Sequence, residues 1–333
     1  MVLLLLSSFS LLTSISVTAL VQQRFSKQLL DIPNDRSSHH QPTPRGGGIG
    51  FIVGFALAYG LLYLIPFWIP SLGAADILLP DPVKFWVALM PLAIVGFLDD
   101  FYSLPAIWRY LVQLSVAVVS VFWFVTHPVE LGDPKAWFSL IAIAIGMTAM
   151  INFYNFMDGL DGLLAGVSAV QLAFLAIYLN LPWLWLLVAA LIGFLGWNWS
   201  PAKIFMGDVG STVLGAIVAI ALLQANSASQ TWVGLALTLP LIGDTIYTLV
   251  CRLIRRENIF QAHRTHLYQR LQQAGRTHAQ VSSLYIIYTL LIAILIISFG
   301  QLGAWLSLAS LPIFLGLGEI YVRAMLNPYG VHS

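Results

Sequence analysis

Apolar residues run along this chain in long stretches separated by short polar ones. The runs fall at about 2–21, 46–69, 83–98, 106–126, 136–156, 162–180, 182–199, 209–225, 230–251, 281–303 and 305–323. Each is near the roughly 20 residues that a helix needs to cross a bilayer. The pattern therefore predicts an all-α polytopic membrane protein with about 11 transmembrane helices, forming a single integral-membrane domain over residues 1–333. The first run resembles a secretory leader, but its positive charges, Arg24 and Lys27, follow the apolar core instead of preceding it. It is read as an uncleaved first span.

One polar stretch breaks the pattern most sharply. Asn152–Gly166 reads NFYNFMDGLDGLLAG, with Asn152, Asn155, Asp158 and Asp161 at a constant spacing of three between two apolar runs. Residues three apart neighbour each other on a helix. Gly159 and Gly162 argue for a turn between two helix ends, with the asparagines on the outgoing helix, Asp158 in the turn and Asp161 at the start of the next. Carboxylates at this depth are costly and point to function.

Charge gives the chain a direction. When loops are numbered alternately, one set holds Arg24, Lys27, Arg36, Arg45, Arg109, Lys203, Arg252, Arg255, Arg256, Arg264, Arg270, Arg276 and Arg323, and the other only Lys84 and Lys135. Basic loops face the cytoplasm, which places the N-terminus outside and the C-terminus inside. Every polar cluster of interest then falls on the cytoplasmic side, in loops 22–48, 99–105, 152–162, 198–211 and 252–280. Five such loops on one face read as one site. Composition agrees: 59% of the 333 residues are hydrophobic and 9% charged, against roughly 25% charged in soluble domains. The lone Cys251 excludes an intramolecular disulfide and is read as a small apolar residue.

Each cluster has a plain reading and a chemical one. Asp99 and Asp100 end the third run; adjacent helix residues point about 100° apart, so they cannot clamp one atom symmetrically. They also face the negative end of the helix dipole, so a cation should offset them. Asp208 and Ser211, in Phe205–Ser211, open the eighth run, where N-capping or anion binding is expected. Arg45, Gly46 and Gly47 lead into the second run and suit a close approach to phosphate, although no P-loop pattern exists. His263, Arg264 and His266 precede a short amphipathic helix with Leu267, Leu271 and Ala274 on one face, ended by Gly275. This segment reads either as an interfacial anchor or as a diphosphate grip. Asp244 and Glu319 lie inside runs nine and eleven, as bundle contacts or as part of a lipid path.

Taken together, DD at Asp99–Asp100, NxxNxxDGxDGL at Asn152–Leu163, FMGDxGS at Phe205–Ser211 and the His/Arg-rich last loop resemble the polyprenyl-phosphate N-acetylhexosamine-1-phosphate transferases. The resemblance covers nearly the whole chain. It implies that a polyprenyl phosphate attacks the β-phosphorus of a UDP-N-acetyl sugar, releasing UMP, with Mg2+ (or Mn2+ in its place) as cofactor. It further implies Asp208 as metal ligand with Asn155 nearby, Phe205 stacked on uracil, and Asp158 and Asp161 ordering nucleotide and metal. Asp99 would position or deprotonate the lipid phosphate beside Asp100, and His263, Arg264 and His266 would grip diphosphate and sugar. Arg45, Gly46, Gly47, Asn152 and Ser211 complete the expected substrate site.

The expected partners are UDP-N-acetyl sugar, undecaprenyl phosphate and the bilayer, with a homodimer as one option and no nucleic acid. The last loop lacks the adjacent histidines of the peptidoglycan branch, so an O-antigen or other surface-polysaccharide role is expected. The sugar would be GlcNAc or a 6-deoxy sugar such as FucNAc or QuiNAc, with the latter favoured. A secondary transporter and a lipid-diphosphate phosphatase are the rival readings.

Overall fold

The computed structural model describes residues 1–26, 28–33, 38–39, 41–68, 79–126, 134–259, 261 and 263–326. Lys27 and Arg36, which entered the charge argument, lie outside the described residues. In chain order come α1 (Val2–Phe25), β1 (Leu30–Asp31), β2 (Thr43–Pro44), α2 (Gly48–Trp68), α3 (Pro82–Tyr102), α4 (Ala106–Phe124) and α5 (Pro134–Phe156). There follow α6 (Leu163–Tyr178), α7 (Leu184–Asn198), α8 (Asp208–Leu223), α9 (Ala228–Ala236), α10 (Leu239–Ile254), α11 (Leu267–Gln273), α12 (His278–Phe299) and α13 (Gln301–Leu326). The two short strands pair antiparallel, Leu30 opposite Pro44. The protein is an all-α polytopic membrane protein.

Every predicted apolar run is helical, but the runs are not equivalent. Among the described residues, seven helices, α1 to α5, α12 and α13, are long and apolar enough to cross a bilayer. The helices α6, α7 and α8 have 16, 15 and 16 residues. At about 1.5 Å per residue they fall short of a ~30 Å hydrocarbon core. The ninth run (230–251) is not one helix: α9 and α10 meet at a 78° bend. Pro240 has no N–H to continue α9's ladder, and α10 starts there, with Pro240 in its first turn. Among the described residues, seven helices meet the length and composition of a full span, or eight with the bent pair, against the about 11 spans expected from the apolar runs.

Helix α8 organises the rest. It is apolar on all sides, the signature of a helix with no solvent-facing stripe, and every residue from Val209 to Leu222 is buried. Helices α3 and α5 flank it, with α2 and α4 beside them. Two glycines set how closely they approach. A Cβ on Gly48 would lie 2.4 Å from the Gly210 Cα, and one on Gly96 would lie 2.7 Å from the Asp208 carbonyl. The first turn of α8 is thus wedged between α2 and α3.

Candidate functional site

The site forms around that first turn. Gly207 precedes it at φ +76°, a left-handed conformation natural to glycine. The Asp100 carboxylate reaches across from α3 and accepts the backbone N–H of Asp208 (3.1 Å) and Val209 (3.4 Å). These belong to the donors that every helix start leaves without a partner. Asp100 is therefore engaged as a cap on α8, while Asp99, one residue earlier, points elsewhere. Asp99 Oδ1 accepts the Leu104 N–H at 2.6 Å, and Oδ2 accepts Arg109 Nη1 at 2.8 Å. The same Arg109 nitrogen donates to Asp208 Oδ2 at 3.0 Å. Asn155 Nδ2 donates to Asp208 Oδ1 and to Ser211 Oγ, both at 2.9 Å. Asn152 sits one turn back and donates to Gln113 Oε1 at 2.6 Å.

The DGxDG turn divides its two carboxylates. Asp158 faces Asp208 and Asp100; burial first, then the repulsion of those two charges, pushes its carboxyl well above the ordinary range. Asp161 lines the same cavity but is engaged by other partners. Its Oδ1 lies 3.0 Å from His278 Nδ1, and its Oδ2 accepts the Ala202 N–H at 3.1 Å. Burial alone would raise this carboxyl, but His278 and the Ala202 donor outweigh it and hold it below its usual value. His278 Nε2 in turn sits 3.0 Å from the Ser38 carbonyl. Asp161 thus ties three loops together while lining the same cavity as Asp158 and Phe205.

Two other expected elements have defined surroundings. Gly47 donates its N–H to the Phe205 carbonyl (2.9 Å), Gly48 to Met206 (2.9 Å), and Phe205 donates back to Pro44 (2.8 Å). The Gly47 N–H expected to approach a phosphate is engaged in a backbone splice that fixes Phe205. The histidines of the expected grip lie together on the wall of one cavity. His263 is pushed down to about 4, by burial first and then by His266 and Arg252, so it is neutral near pH 7. His266 is buried, its Nδ1 is 3.8 Å from Asp244 Oδ1, and its ring lies between those of His263 and Tyr268. Arg264 Nη2 reaches Ser38 Oγ at 3.4 Å.

Two cavities meet at this centre. One, of about 290 Å3, is lined by Arg45, Asp100, Asp158, Asp161, Phe205 and His278, with His39 edge-on to Phe205 at 4.8 Å. The other, of about 330 Å3, is lined by Arg109, Tyr110, Gln113, Asn152, Asn155, His263 and His266. Asp208 and Gln269 border both. A charged group held in either cavity therefore lies against the same Asp208 carboxylate.

Sequence reading missed Arg109 and His278 as site components and did not find the partners of Asp244. Arg109 had been used only for orientation, yet its place ten residues after Asp99, at the start of the next helix, was a usable signal. His278 carried no local pattern. Asp244, on α10, accepts the N–H groups of Leu267 (2.8 Å) and Tyr268 (3.0 Å) and the Tyr285 hydroxyl (2.7 Å). It fixes α11 under the cavities, and the Tyr268 hydroxyl reaches the Phe156 carbonyl at 2.9 Å. Glu319 holds Arg270 through both guanidinium nitrogens.

Comparison with known proteins identifies relatives of the chain. The glycosyl transferase family 4 model matches residues 83–226. A Bacillus subtilis (strain 168) protein named as a probable undecaprenyl-phosphate N-acetylglucosaminyl 1-phosphate transferase is 30% identical over 326 residues, covering 90% of this chain and 85% of its own. The undecaprenyl-phosphate alpha-N-acetylglucosaminyl 1-phosphate transferase of Escherichia coli (strain K12) is 27% identical over 292 residues, covering 80% and 74%. A Deinococcus radiodurans phospho-N-acetylmuramoyl-pentapeptide-transferase is 33% identical, but over only 53% of this chain and 60% of its own. With most of both chains aligned to the first of these, and with the acidic centre falling inside the matched segment, the protein belongs to glycosyl transferase family 4.

Proposed function

We propose that this transferase moves a phospho-N-acetylhexosamine from a UDP-sugar to undecaprenyl phosphate at the cytoplasmic face of the inner membrane, giving undecaprenyl-diphospho-sugar and UMP. The observation that carries the reading is Asp208 standing between two cavities, with Phe205 beside it in one and Arg109 in the other. One P–O bond forms, from the lipid phosphate oxygen to the β-phosphorus, and one breaks, releasing UMP. Two phosphate-bearing reactants repel each other, so alignment and charge neutralisation matter more than a strong base.

The donor set fits Mg2+. Among the described residues no three His, Cys, Asp or Glu side chains converge on one point. Mg2+ does not require that, since it commonly takes one or two carboxylates and completes its shell with waters and substrate phosphates. Asp99, Asp100, Asp158 and Asp208 outnumber the guanidiniums of Arg45 and Arg109 beside them. Asp208 would hold the ion, with Asn155 fixing its carboxylate, and the ion would neutralise phosphate charge. Arg109 holds Asp99 against Asp208 and presents a guanidinium to the second cavity, where a lipid phosphate would sit. Phe205, fixed by its splice to Pro44 and Gly47, offers a face for the base.

The curated relatives that align over most of their length are named for N-acetylglucosamine, which moves the proposed sugar from a 6-deoxy hexosamine to GlcNAc. The product would start O-antigen or another surface polysaccharide. The reading is tested by incubating membranes with undecaprenyl phosphate and a panel of labelled UDP-N-acetyl sugars. Label from UDP-GlcNAc entering lipid with matching UMP release is expected; solute uptake or free phosphate with no lipid-linked sugar would favour the rivals.

Two substitutions separate the substrates. Phe205→Ala should raise KM for the UDP-sugar by about tenfold, the scale of one lost base–aromatic stack, while KM for the lipid phosphate stays put. Arg264→Ala should likewise weaken use of the UDP-sugar more than of the lipid, because Arg264 reaches Ser38 on the rim of the Phe205 cavity. A change confined to the lipid substrate would contradict either assignment.

A further inference from the structure

A third cavity, of about 370 Å3, opens between α11, α12 and α13 and belongs to neither substrate pocket. Its walls are Leu284 and Val281 of α12 with Phe314, Leu317 and Tyr321 of α13. Arg276 stands at its mouth, the sole charged residue among those that line it, with Gln280 beside it. The guanidinium lies over the Tyr321 ring at 4.5 Å, an arrangement that orients the charge while leaving its in-plane N–H donors open. The other cations here are engaged: Arg270 and Arg323 both turn to Glu319. Arg276 has no carboxylate partner among the described residues.

An apolar slot with one unneutralised cation at its mouth, in a membrane protein, is complementary to a lipid with an anionic head. The slot lies at the edge where the arginines gather, the edge that faces the anionic leaflet in the orientation proposed above. Basic pockets between membrane helices on that side are the usual seat of acidic head groups. Helix α11 separates the slot from the transfer pocket. Leu267 and Leu271, four apart on one face, line the slot, whereas Gln269 on the opposite face borders the catalytic cavities. A phosphate on Arg276 is therefore screened from Asp208 by a helix, which argues for a bilayer lipid and against the polyprenyl substrate.

We propose that the α11–α12–α13 slot is a separate binding site for an anionic phospholipid, whose phosphate is held by Arg276 and whose acyl chain lies between Leu284, Leu317 and Phe314. The test is native mass spectrometry of the full-length protein in micelles doped with equal phosphatidylglycerol and phosphatidylcholine. Wild type should retain phosphatidylglycerol in preference. Arg276→Gln should reduce that preference about fivefold, the scale of one basic side chain near an anionic surface, with transferase activity unchanged. Leu284→Trp, which narrows the slot, should reduce retention of both lipids. Equal retention of the two lipids by wild type, or an unaltered ratio in Arg276→Gln, would overturn the proposal. So would displacement of phosphatidylglycerol by undecaprenyl phosphate in wild type but not in Arg276→Gln, since the slot would then serve the lipid substrate.

Discussion

Asp208→Asn should lower transfer by roughly a thousandfold or more, at the upper end of what one preorganised electrostatic group contributes to a reaction, while the protein still folds and inserts. The substitution keeps the side chain's shape and the first turn of α8, whose N–H groups are capped by Asp100 independently of the Asp208 side chain. What it removes is an anionic acceptor. Oδ1 now accepts from Asn155 and Oδ2 from Arg109; an amide could satisfy only one of these and would turn its NH2 towards the other donor. Whichever of Arg109 and Asn155 faces the amide NH2 loses its acceptor, and the proposed Mg2+ would lose its charged ligand. The check is UMP release by purified protein over a Mg2+ titration, with size-exclusion elution confirming that the variant is intact. Wild-type rates at ordinary Mg2+ would remove Asp208 from the metal role, and a defect rescued fully by excess Mg2+ would reduce it to an affinity effect.

How much of this was legible in the sequence depended on the range of the interaction. The helices follow from apolar runs, and the turn at Asp158 from glycines beside polar residues at a spacing of three, all local signals. Grouping the motif loops on one face needed only a count of arginines. The bend between α9 and α10 was not legible because Pro240 suits a first helical turn as well as it disrupts a continuing helix. The partners were not legible at all: Arg109 with Asp208, Asp161 with His278 and Asp244 with Leu267 join residues from 23 to 117 positions apart. The spacing that puts Asp158 and Asp161 in one column says nothing of their opposite fates, one crowded by like charge and the other held by a histidine. Gly47 shows the same limit, since glycine permits close approach equally to a phosphate and to the Phe205 carbonyl.

Asp244→Ala should destabilise the protein by about 3–5 kcal/mol, the range for breaking one side of a buried charged network. The Asp244 side chain is fully buried and accepts from Leu267 N–H, Tyr268 N–H, the Tyr285 hydroxyl and the Thr248 hydroxyl. Alanine would strand these donors away from water, and each unsatisfied buried group costs roughly 1–3 kcal/mol. The effect should be directional, because the two N–H groups belong to the start of α11. Without its anchor the segment from His263 to Gln273 should loosen, exposing Arg264 and Arg270 to trypsin and withdrawing His266 and Gln269 from the cavities that they line. Activity should therefore fall even though Asp244 lines neither substrate cavity. Asp244→Asn, which preserves the shape but has one acceptor oxygen where the carboxylate has two, should fall between alanine and wild type in both melting temperature and cleavage rate. Unchanged melting and unchanged cleavage in Asp244→Ala would show that α11 is held by Arg270–Glu319 and its apolar face, and would separate the histidine segment from α10.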